Sequence, residues 1–298
     1  MKRISLFLSL LVIVSLACGV TIDLTPEPES PTAESTPVPV EPPTTTPEIF
    51  ISLTQAMPAT AMPPEEISFA PLRLSLPRVI ASGARGEQVP PASGTDLPYW
   101  ELTPGHAVLT LEGYVLQNKF HQPRIYVYPA SAYAEMMPGA FESIRRLDNI
   151  LYGPGGPALN DELPAVPFFN AAQVFASNAQ LVSFQNGGGV RFVTEYAQYA
   201  ATINNTDLFY HFEGVTRNGE YYIVAVLPVT APGLAETSDP GSAVPAGGIA
   251  HPDINDPNAD WKGYYDAVAN LLNSTDPEAF YPPLSQLDAL IQSIRIEP

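Results

Sequence analysis

The chain has 298 residues, and its 13 lysines and arginines stand against 31 aspartates and glutamates, giving a formal net charge of −18. Proteins that bind nucleic acids gain affinity from clustered lysine and arginine, so this balance argues against a nucleic-acid partner. A single cysteine excludes both a disulfide framework and a cysteine-based zinc site.

The chain opens with the parts of a secretory signal peptide. The positively charged Lys2 and Arg3 precede a mainly apolar run, Ile4 to Leu16, and small residues precede Cys18. A membrane-spanning helix needs about 20 apolar residues, and this run is shorter. We therefore expect export and cleavage directly after Ala17.

The only cysteine lies at this predicted cleavage point. The sequence Ser-Leu-Ala-Cys resembles the lipobox of bacterial lipoproteins, in which a small residue precedes a cysteine that receives a diacylglycerol. It matches at Ala17 and Cys18, but departs at Ser15, where leucine is usual, and at Leu16, where a smaller residue is commoner. The resemblance implies that residues 1–17 are removed and that Cys18 is lipidated. The protein would then be anchored on the extracytoplasmic face of the membrane, with a secreted soluble form as the alternative.

Residues 18–66 have the composition of a disordered tether. From Thr21 to Glu66 there are 11 prolines and 9 threonines, and no lysine or arginine lies between Arg3 and Arg73. Such a segment offers too little apolar surface to offset its ordering entropy, and its prolines favour extended backbone. We expect it to hold a folded domain, residues 67–298, away from the membrane.

Three helices are predicted in this domain from apolar residues that recur every three or four positions. The first spans Pro138 to Leu151 and is followed by Gly153-Pro154-Gly155-Gly156. The second begins at Trp261 with Asp260 as its N-cap, and the third runs from Leu284 to Ile294 after two prolines, which a helix start tolerates.

Short β-branched and aromatic runs predict the strands. They are Ile67 to Leu76, Ala107 to Leu116, Arg124 to Tyr128, Leu181 to Phe184, Val190 to Tyr196, Leu208 to Phe212 and Tyr221 to Leu227. Asn186-Gly187-Gly188-Gly189 and Arg217-Asn218-Gly219 separate pairs of these runs and predict two hairpins. The alternation from Leu208 to Glu213 predicts one buried and one partly wet face. Helices segregated from antiparallel strands indicate an α+β fold.

This order of elements resembles the PsbP-like fold, in which helices pack on both sides of an antiparallel sheet. Tyr221 to Leu227 and Leu284 to Ile296 carry the likeness, and the latter segment closes on Gln292-Ser293-Ile294-Arg295-Ile296, a short terminal strand in that fold. The resemblance implies an α/β/α sandwich and favours a binding or assembly role, by fold analogy alone.

No sequence motif for catalysis is present. The four histidines, His106, His121, His211 and His251, are too far apart along the chain to form a local zinc pair. The chain has no Gly-x-Ser-x-Gly nucleophile motif and no phosphate-binding glycine loop. His211 is expected to satisfy a hydrogen bond on a sheet face, and His121 to lie in a loop.

The long loop from Thr230 to Asp260 suggests a calcium site. Asp256, Asn258 and Asp260 place oxygen ligands at the alternating positions with which a calcium loop begins. Trp261 stands where the motif needs glycine, and Ala267 where it needs glutamate. We expect capping of the following helix by Asp260 to be the main role, with calcium binding as the weaker hypothesis and no other cofactor.

Paired carboxylates of the kind that hydrolyse glycosides could come from Glu112, Glu195 and Glu213, which lie near strand ends. Tyr99 and Trp100, with Tyr221 and Tyr222, are aromatic residues that could stack on a ligand. We take Tyr99 and Trp100 as the candidate ligand-binding residues and assign no catalytic residue.

These observations lead to three functional hypotheses. The first is a lipid-anchored extracytoplasmic protein whose α+β domain binds a small-molecule or protein partner without turning it over. The second is a secreted or anchored hydrolase of envelope polymers, and the third is an envelope scaffold protein.

Overall fold

The computed structural model describes residues 63–160, 162–166 and 169–297, which all belong to one compact unit, Pro58–Pro298. The strands are β1 (Glu65–Phe69), β2 (Leu72–Leu76), β3 (Gly83–Val89), β4 (His106–Glu112), β5 (Arg124–Pro129), β6 (Ala172–Phe184), β7 (Gly187–Ala197), β8 (Phe209–Thr216), β9 (Tyr221–Pro228) and β10 (Arg295–Ile296). The α-helices are α1 (Ala130–Met136), α2 (Pro138–Tyr152), α3 (Trp261–Ser274) and α4 (Leu284–Ser293). Two short 3₁₀ helices span Tyr99–Glu101 and Pro277–Ala279.

The strands form two antiparallel sheets. The larger sheet has seven strands in the order β3-β4-β5-β9-β8-β7-β6, and the smaller has three in the order β1-β2-β10. Every pair of neighbouring strands is antiparallel. Together with the four α-helices, this architecture confirms the α+β fold class.

Helices cover both faces of the seven-stranded sheet. Along β9, Tyr222 and Val224 pack into a core with residues of α1 and α2. The alternate residues Ile223 and Ala225 pack into a second core with α3, α4 and the three-stranded sheet. This is the layering that the PsbP-like resemblance implies, while membership of that family stays a prediction.

Burial of both faces corrects the expectation of a partly wet face on β8. All eight residues of β8 are buried, including His211 and Glu213, which are fully inaccessible to solvent. The polar residues at alternate positions suggested solvent contact. Instead, their side chains bond to each other beneath α2, where Ser143 joins them.

Both predicted hairpins are present, but their glycines act differently. In the β8–β9 turn, Gly219 has a φ of +72°, which a residue with a Cβ rarely adopts. In the β6–β7 hairpin, Phe184 pairs with Gly187, so the turn is Gln185-Asn186. The glycines lie inside β7, where a Cβ on Gly189 would be 2.2 Å from the Glu213 carbonyl oxygen of β8.

Several boundaries differ from the predictions. The run Ile67 to Leu76 is not one strand but the β1–β2 hairpin, since its chain reverses at Ala70-Pro71. The predicted strand from Ala107 to Leu116 ends at Glu112, because Gly113 has a φ of +60°. The short terminal strand is confirmed as β10, which pairs with β2.

The predictions for the signal peptide, Cys18 and most of the tether concern residues 1–62, which lie outside the described residues. Strand β1 begins at Glu65, two residues before the predicted start of the domain at residue 67. Across the described part of the chain, none of the helices has the length and apolar character required to cross a bilayer.

Candidate functional site

A large cavity lies where β7 ends and the loop 198–207 begins. Its volume is about 330 Å³, which is within the usual range for small-molecule sites. Three further segments contribute walls: the β4–β5 loop, the residues that precede β6, and Ser238 of the long loop. The lining residues that matter chemically are Phe120, His121, Phe169, Glu195, Tyr196, Tyr199 and Asp207.

Aromatic rings follow one another around the wall of this cavity. Phe120 meets His121 at a centroid distance of 4.9 Å and an interplanar angle of 90°. His121 is 4.9 Å from Phe169, and Phe169 is 5.9 Å from Tyr196 at 77°. The His121–Phe169 pair is tilted at 43°, so the neighbouring rings face different directions along the concave wall of the cavity and do not form a flat stack.

His121 is confirmed as a loop residue, and it forms part of the cavity wall. It is 8% exposed, and its ring lies 4.4 Å from that of Phe209 on β8. Burial lowers the pKa of His121 to about 4, and the nearby His211 contributes to the decrease. Its imidazole is therefore neutral at pH 7 and adds no positive charge to the cavity.

Glu195 is the buried carboxyl group of the cavity, with 1% of its surface exposed. Its Oε2 accepts a 3.0 Å hydrogen bond from the backbone N–H of Asn204. Burial raises the pKa of Glu195 well above its ordinary value; the hydrogen bond from Asn204 opposes this effect and the charge of Asp207 reinforces it. Glu195 is therefore a carboxyl group that favours its neutral form far more than an exposed glutamate does.

Asn204 organises the loop that closes this side of the cavity. It is fully buried, and its Nδ2 donates to Asp207 Oδ2 at 2.9 Å and to the Thr202 carbonyl at 3.1 Å. Its Oδ1 accepts from the backbone N–H groups of Thr206 and Asp207. These bonds fix the Asp207 carboxylate in position at the cavity wall.

A second buried carboxyl group, Glu213, lies on β8 and has different surroundings. It accepts hydrogen bonds from Ser143 (2.5 Å), from the Val166 N–H (2.6 Å) and from Tyr222. His211 Nε2 lies 2.7 Å from its Oε1. Burial alone would raise the pKa of Glu213, but the bond and charge of His211, with the bonds from Ser143 and Tyr222, lower it. This network joins the sheet to α2, and His211 has the sheet-face bond expected of it.

A smaller cavity of about 140 Å³ adjoins the first and shares Tyr199, Ala201 and Ser238 with it. Its lining also includes Trp261 of α3, His251 and Ile254 of the long loop, and further residues of both loops. Tyr199 stands between the two cavities with 65% of its surface exposed. The larger cavity therefore opens beside an exposed aromatic side chain that a ligand can reach.

The candidate ligand residues Tyr99 and Trp100 lie elsewhere. They form the short 3₁₀ helix between β3 and β4, with their rings 5.0 Å apart at 81°. Tyr99 is 54% exposed, and neither residue lines the large cavity. Their role in binding stays a prediction.

The capping role of Asp260 is confirmed, because its Oδ1 accepts a 2.8 Å hydrogen bond from the Gly263 N–H at the start of α3. Asp256 similarly accepts from the backbone N–H of Asn258. Among the residues that the structure describes, no three His, Cys, Asp or Glu side chains are arranged to hold a metal ion. Calcium binding by Asp256, Asn258 and Asp260 stays a prediction.

The three acids considered for hydrolysis occupy different environments. Glu112 is exposed and pairs with Arg85 at 3.3 Å, whereas Glu195 and Glu213 are buried. Only Glu195 lines the cavity, and the second carboxylate there is Asp207. The aromatic lining was not foreseen, because Phe120, Phe169, Tyr196 and Tyr199 come from three separate segments with no common motif.

Comparison with known proteins gives no relative. No protein-family model matches the chain, and neither a curated protein nor a solved structure does. The functional argument therefore depends on the chemistry of the sequence and of the cavity.

Proposed function

We propose that this protein is anchored to the extracytoplasmic face of a membrane by lipid on Cys18, and that its α+β domain binds a small ligand. The observation that carries the binding role is the concave aromatic wall around Glu195 and Asp207. Aromatic walls with a few fixed polar groups are typical of ligand sites. The signal-like N-terminus and its lipobox-like Ser-Leu-Ala-Cys support the anchoring role.

A thermal-shift screen of the full-length protein against a small-molecule library tests the binding role. Compounds that occupy the cavity should raise the melting temperature, because they bind the folded state only. Tyr199→Ala should remove most of that shift, since Tyr199 borders the opening and is largely exposed.

Tyr99→Ala is the matched control, because it removes the same side chain from a comparably exposed position outside the cavity. Shifts that disappear in Tyr99→Ala and persist in Tyr199→Ala would place binding at the Tyr99–Trp100 pair instead. The absence of any stabilising compound would contradict the binding role.

Glu195 favours a second function, the hydrolysis of an envelope polymer. A carboxyl group with a raised pKa beside a second carboxylate is the arrangement that lets one acid donate a proton while the other stays ionised. Incubation with cell-wall polysaccharides tests this alternative. Turnover that is lost in Glu195→Gln and kept in Glu112→Gln would favour the hydrolase, and turnover unaffected by Glu195→Gln would contradict it.

A further inference from the structure

The large cavity holds an acidic side chain and, among its described lining residues, no lysine or arginine. Asp207 supplies the carboxylate, because the raised pKa of Glu195 favours the neutral form of that carboxyl group. Lys119, which precedes Phe120 in the β4–β5 loop, pairs with Glu236 at 2.9 Å and lines a different cavity. The remaining titratable groups of the lining are His121, which is neutral at pH 7, and two tyrosines.

Ring geometry adds a second attraction for positive charge. The faces of aromatic rings carry negative electrostatic potential, and a cation within about 6 Å of a ring centroid is attracted to it. The His121 ring contacts those of Phe120 and Phe169, and Phe169 contacts Tyr196, with interplanar angles of 90°, 43° and 77° along this series. A compact cation in this cavity therefore lies among aromatic rings of several orientations.

Asp207 supplies a carboxylate at a fixed position. It is half-buried, and Asn204 holds its Oδ2 at 2.9 Å. No other side chain in the described part of the chain is hydrogen-bonded or ion-paired to this carboxylate. Asp207 also lines the cavity, so a ligand there lies beside this carboxylate.

Building on the proposed binding function, we propose that the cavity binds the quaternary or methylated ammonium group of a small organic cation. The methyl groups would contact the faces of Phe120, Phe169 and Tyr196, and the positive charge would lie near Asp207. Primary amines and metal ions bind water more tightly than quaternary ammonium groups do, so they lose more hydration free energy on entering a cavity lined by aromatic rings.

Isothermal titration calorimetry with choline tests the proposal on the full-length protein. The comparison ligand is 3,3-dimethylbutan-1-ol, which has the shape of choline and no charge, and sodium chloride keeps the ionic strength equal. We expect choline to bind at least about tenfold more tightly than the neutral analogue, which corresponds to about 1.4 kcal/mol. Equal binding of the two would overturn the proposal.

Asp207→Asn tests the effect of the negative charge alone, because an asparagine oxygen can still accept the hydrogen bond from Asn204. It should weaken choline binding about tenfold and leave binding of the neutral analogue unchanged. Asp96→Asn is the control, since Asp96 is an exposed acid outside the cavity lining. Phe120→Leu removes one ring from a position that is 70% exposed, and it should also weaken choline binding without unfolding the protein.

The outcomes separate this inference from the proposed function. If neutral compounds stabilise the protein through Tyr199 and choline does not bind, the ammonium proposal is wrong and the binding function stands. If choline binds equally to the protein and to the Asp207→Asn and Phe120→Leu variants, its site lies outside the cavity and the proposal is again wrong. If neither choline nor any library compound binds, both fail.

Discussion

Glu195 and Glu213 have the same side chain and are both buried, yet their pKa values move in opposite directions. Within the described residues, Glu195 accepts hydrogen bonds only from Asn204 and lies near the negative Asp207, so burial dominates and its pKa rises. Glu213 receives bonds from several donors and lies beside His211, so its pKa falls despite greater burial. The number of donors and the sign of the nearest charge therefore decide which form each carboxyl group takes.

Glu195→Gln should change how stability depends on pH. Above the ordinary value of 4.5 and up to its raised pKa, folded Glu195 holds a proton that the unfolded chain has lost. The free energy of unfolding of the parent protein therefore falls as pH rises through this window, and the variant lacks this decrease. Urea unfolding at several pH values should show the variant gaining relative stability as pH increases. If the difference in free energy of unfolding between the variant and the parent protein stays constant from pH 4 to pH 8, the raised pKa is contradicted.

Glu213→Gln should destabilise the protein with the opposite pH dependence. The variant loses a buried carboxylate that accepts hydrogen bonds from Ser143, Tyr222 and the Val166 N–H, and we expect a cost of about 3 kcal/mol at pH 7. Because the pKa of Glu213 is lowered, its contribution is present above 4.5 and is lost as pH falls below that value. The loss of unfolding free energy caused by Glu213→Gln, measured by urea unfolding, should therefore be smaller at acidic pH. An equal loss of unfolding free energy at low pH would show that the packing and neutral hydrogen bonds of the Glu213 side chain, rather than its charge, stabilise this network.

At the level of elements, a buried ion pair links α4 to the seven-stranded sheet. Asp288 Oδ1 lies 3.1 Å from Arg191 Nε of β7 and accepts a 2.8 Å bond from the Tyr210 hydroxyl of β8. Apolar residues of the same helix, Leu284, Leu287, Leu290 and Ile291, are fully buried in the core beside it. The helix is therefore held by packing along its length and by charge at one point.

Asp288→Ala should destabilise the protein by about 3 to 5 kcal/mol, because it leaves Arg191 charged and buried without its partner. The double variant Asp288→Ala/Arg191→Met should recover part of this loss, since it removes the uncompensated charge. Ser285→Ala on the exposed side of the same helix is the control. The stability of all three variants is measured from their denaturant midpoints. If the double variant is no more stable than Asp288→Ala, the loss of stability in Asp288→Ala does not come from the unpaired charge of Arg191.

The elements with strong periodicity and clear end signals were predicted well. Helices α2, α3 and α4 combine an apolar stripe with proline, glycine or aspartate at their ends, and their predicted starts at Pro138, Trp261 and Leu284 agree with the structure. Helix α1 was missed because its seven residues give too few turns for a periodic signal. Strand β3 was missed because it is a polar edge strand, Gly-Ala-Arg-Gly-Glu-Gln-Val, that pairs on one side only.

At the scale of the whole molecule, the antiparallel sheet with helices could be predicted, but the cavity could not. The cavity joins the β4–β5 loop, the segment before β6 and the end of β7, which are distant in sequence and become neighbours only through the strand order. Glu195 was named as a candidate acid because of its place near a strand end, but nothing in the sequence pairs it with Asn204 or Asp207. The local sequence pattern predicts individual helices and strands. The cavity depends on which strands pair with one another, and the sequence pattern does not give that order.

An anchored role also depends on what happens at the N-terminus. Two or three acyl chains would hold the protein stably at a membrane, where a single chain would bind reversibly. The proposed ligand site would then act outside the cytoplasm, where the ligand arrives from the surroundings of the cell.

Mass spectrometry of the N-terminal peptide, after expression of the full chain in a bacterium that processes lipoproteins, tests this role most directly. We expect the peptide to begin at Cys18, to carry acyl chains and to come from the membrane fraction, with Cys18→Ser losing both the acyl mass and the membrane association. A peptide that begins at Met1 and is recovered from the cytoplasm would contradict export and anchoring together.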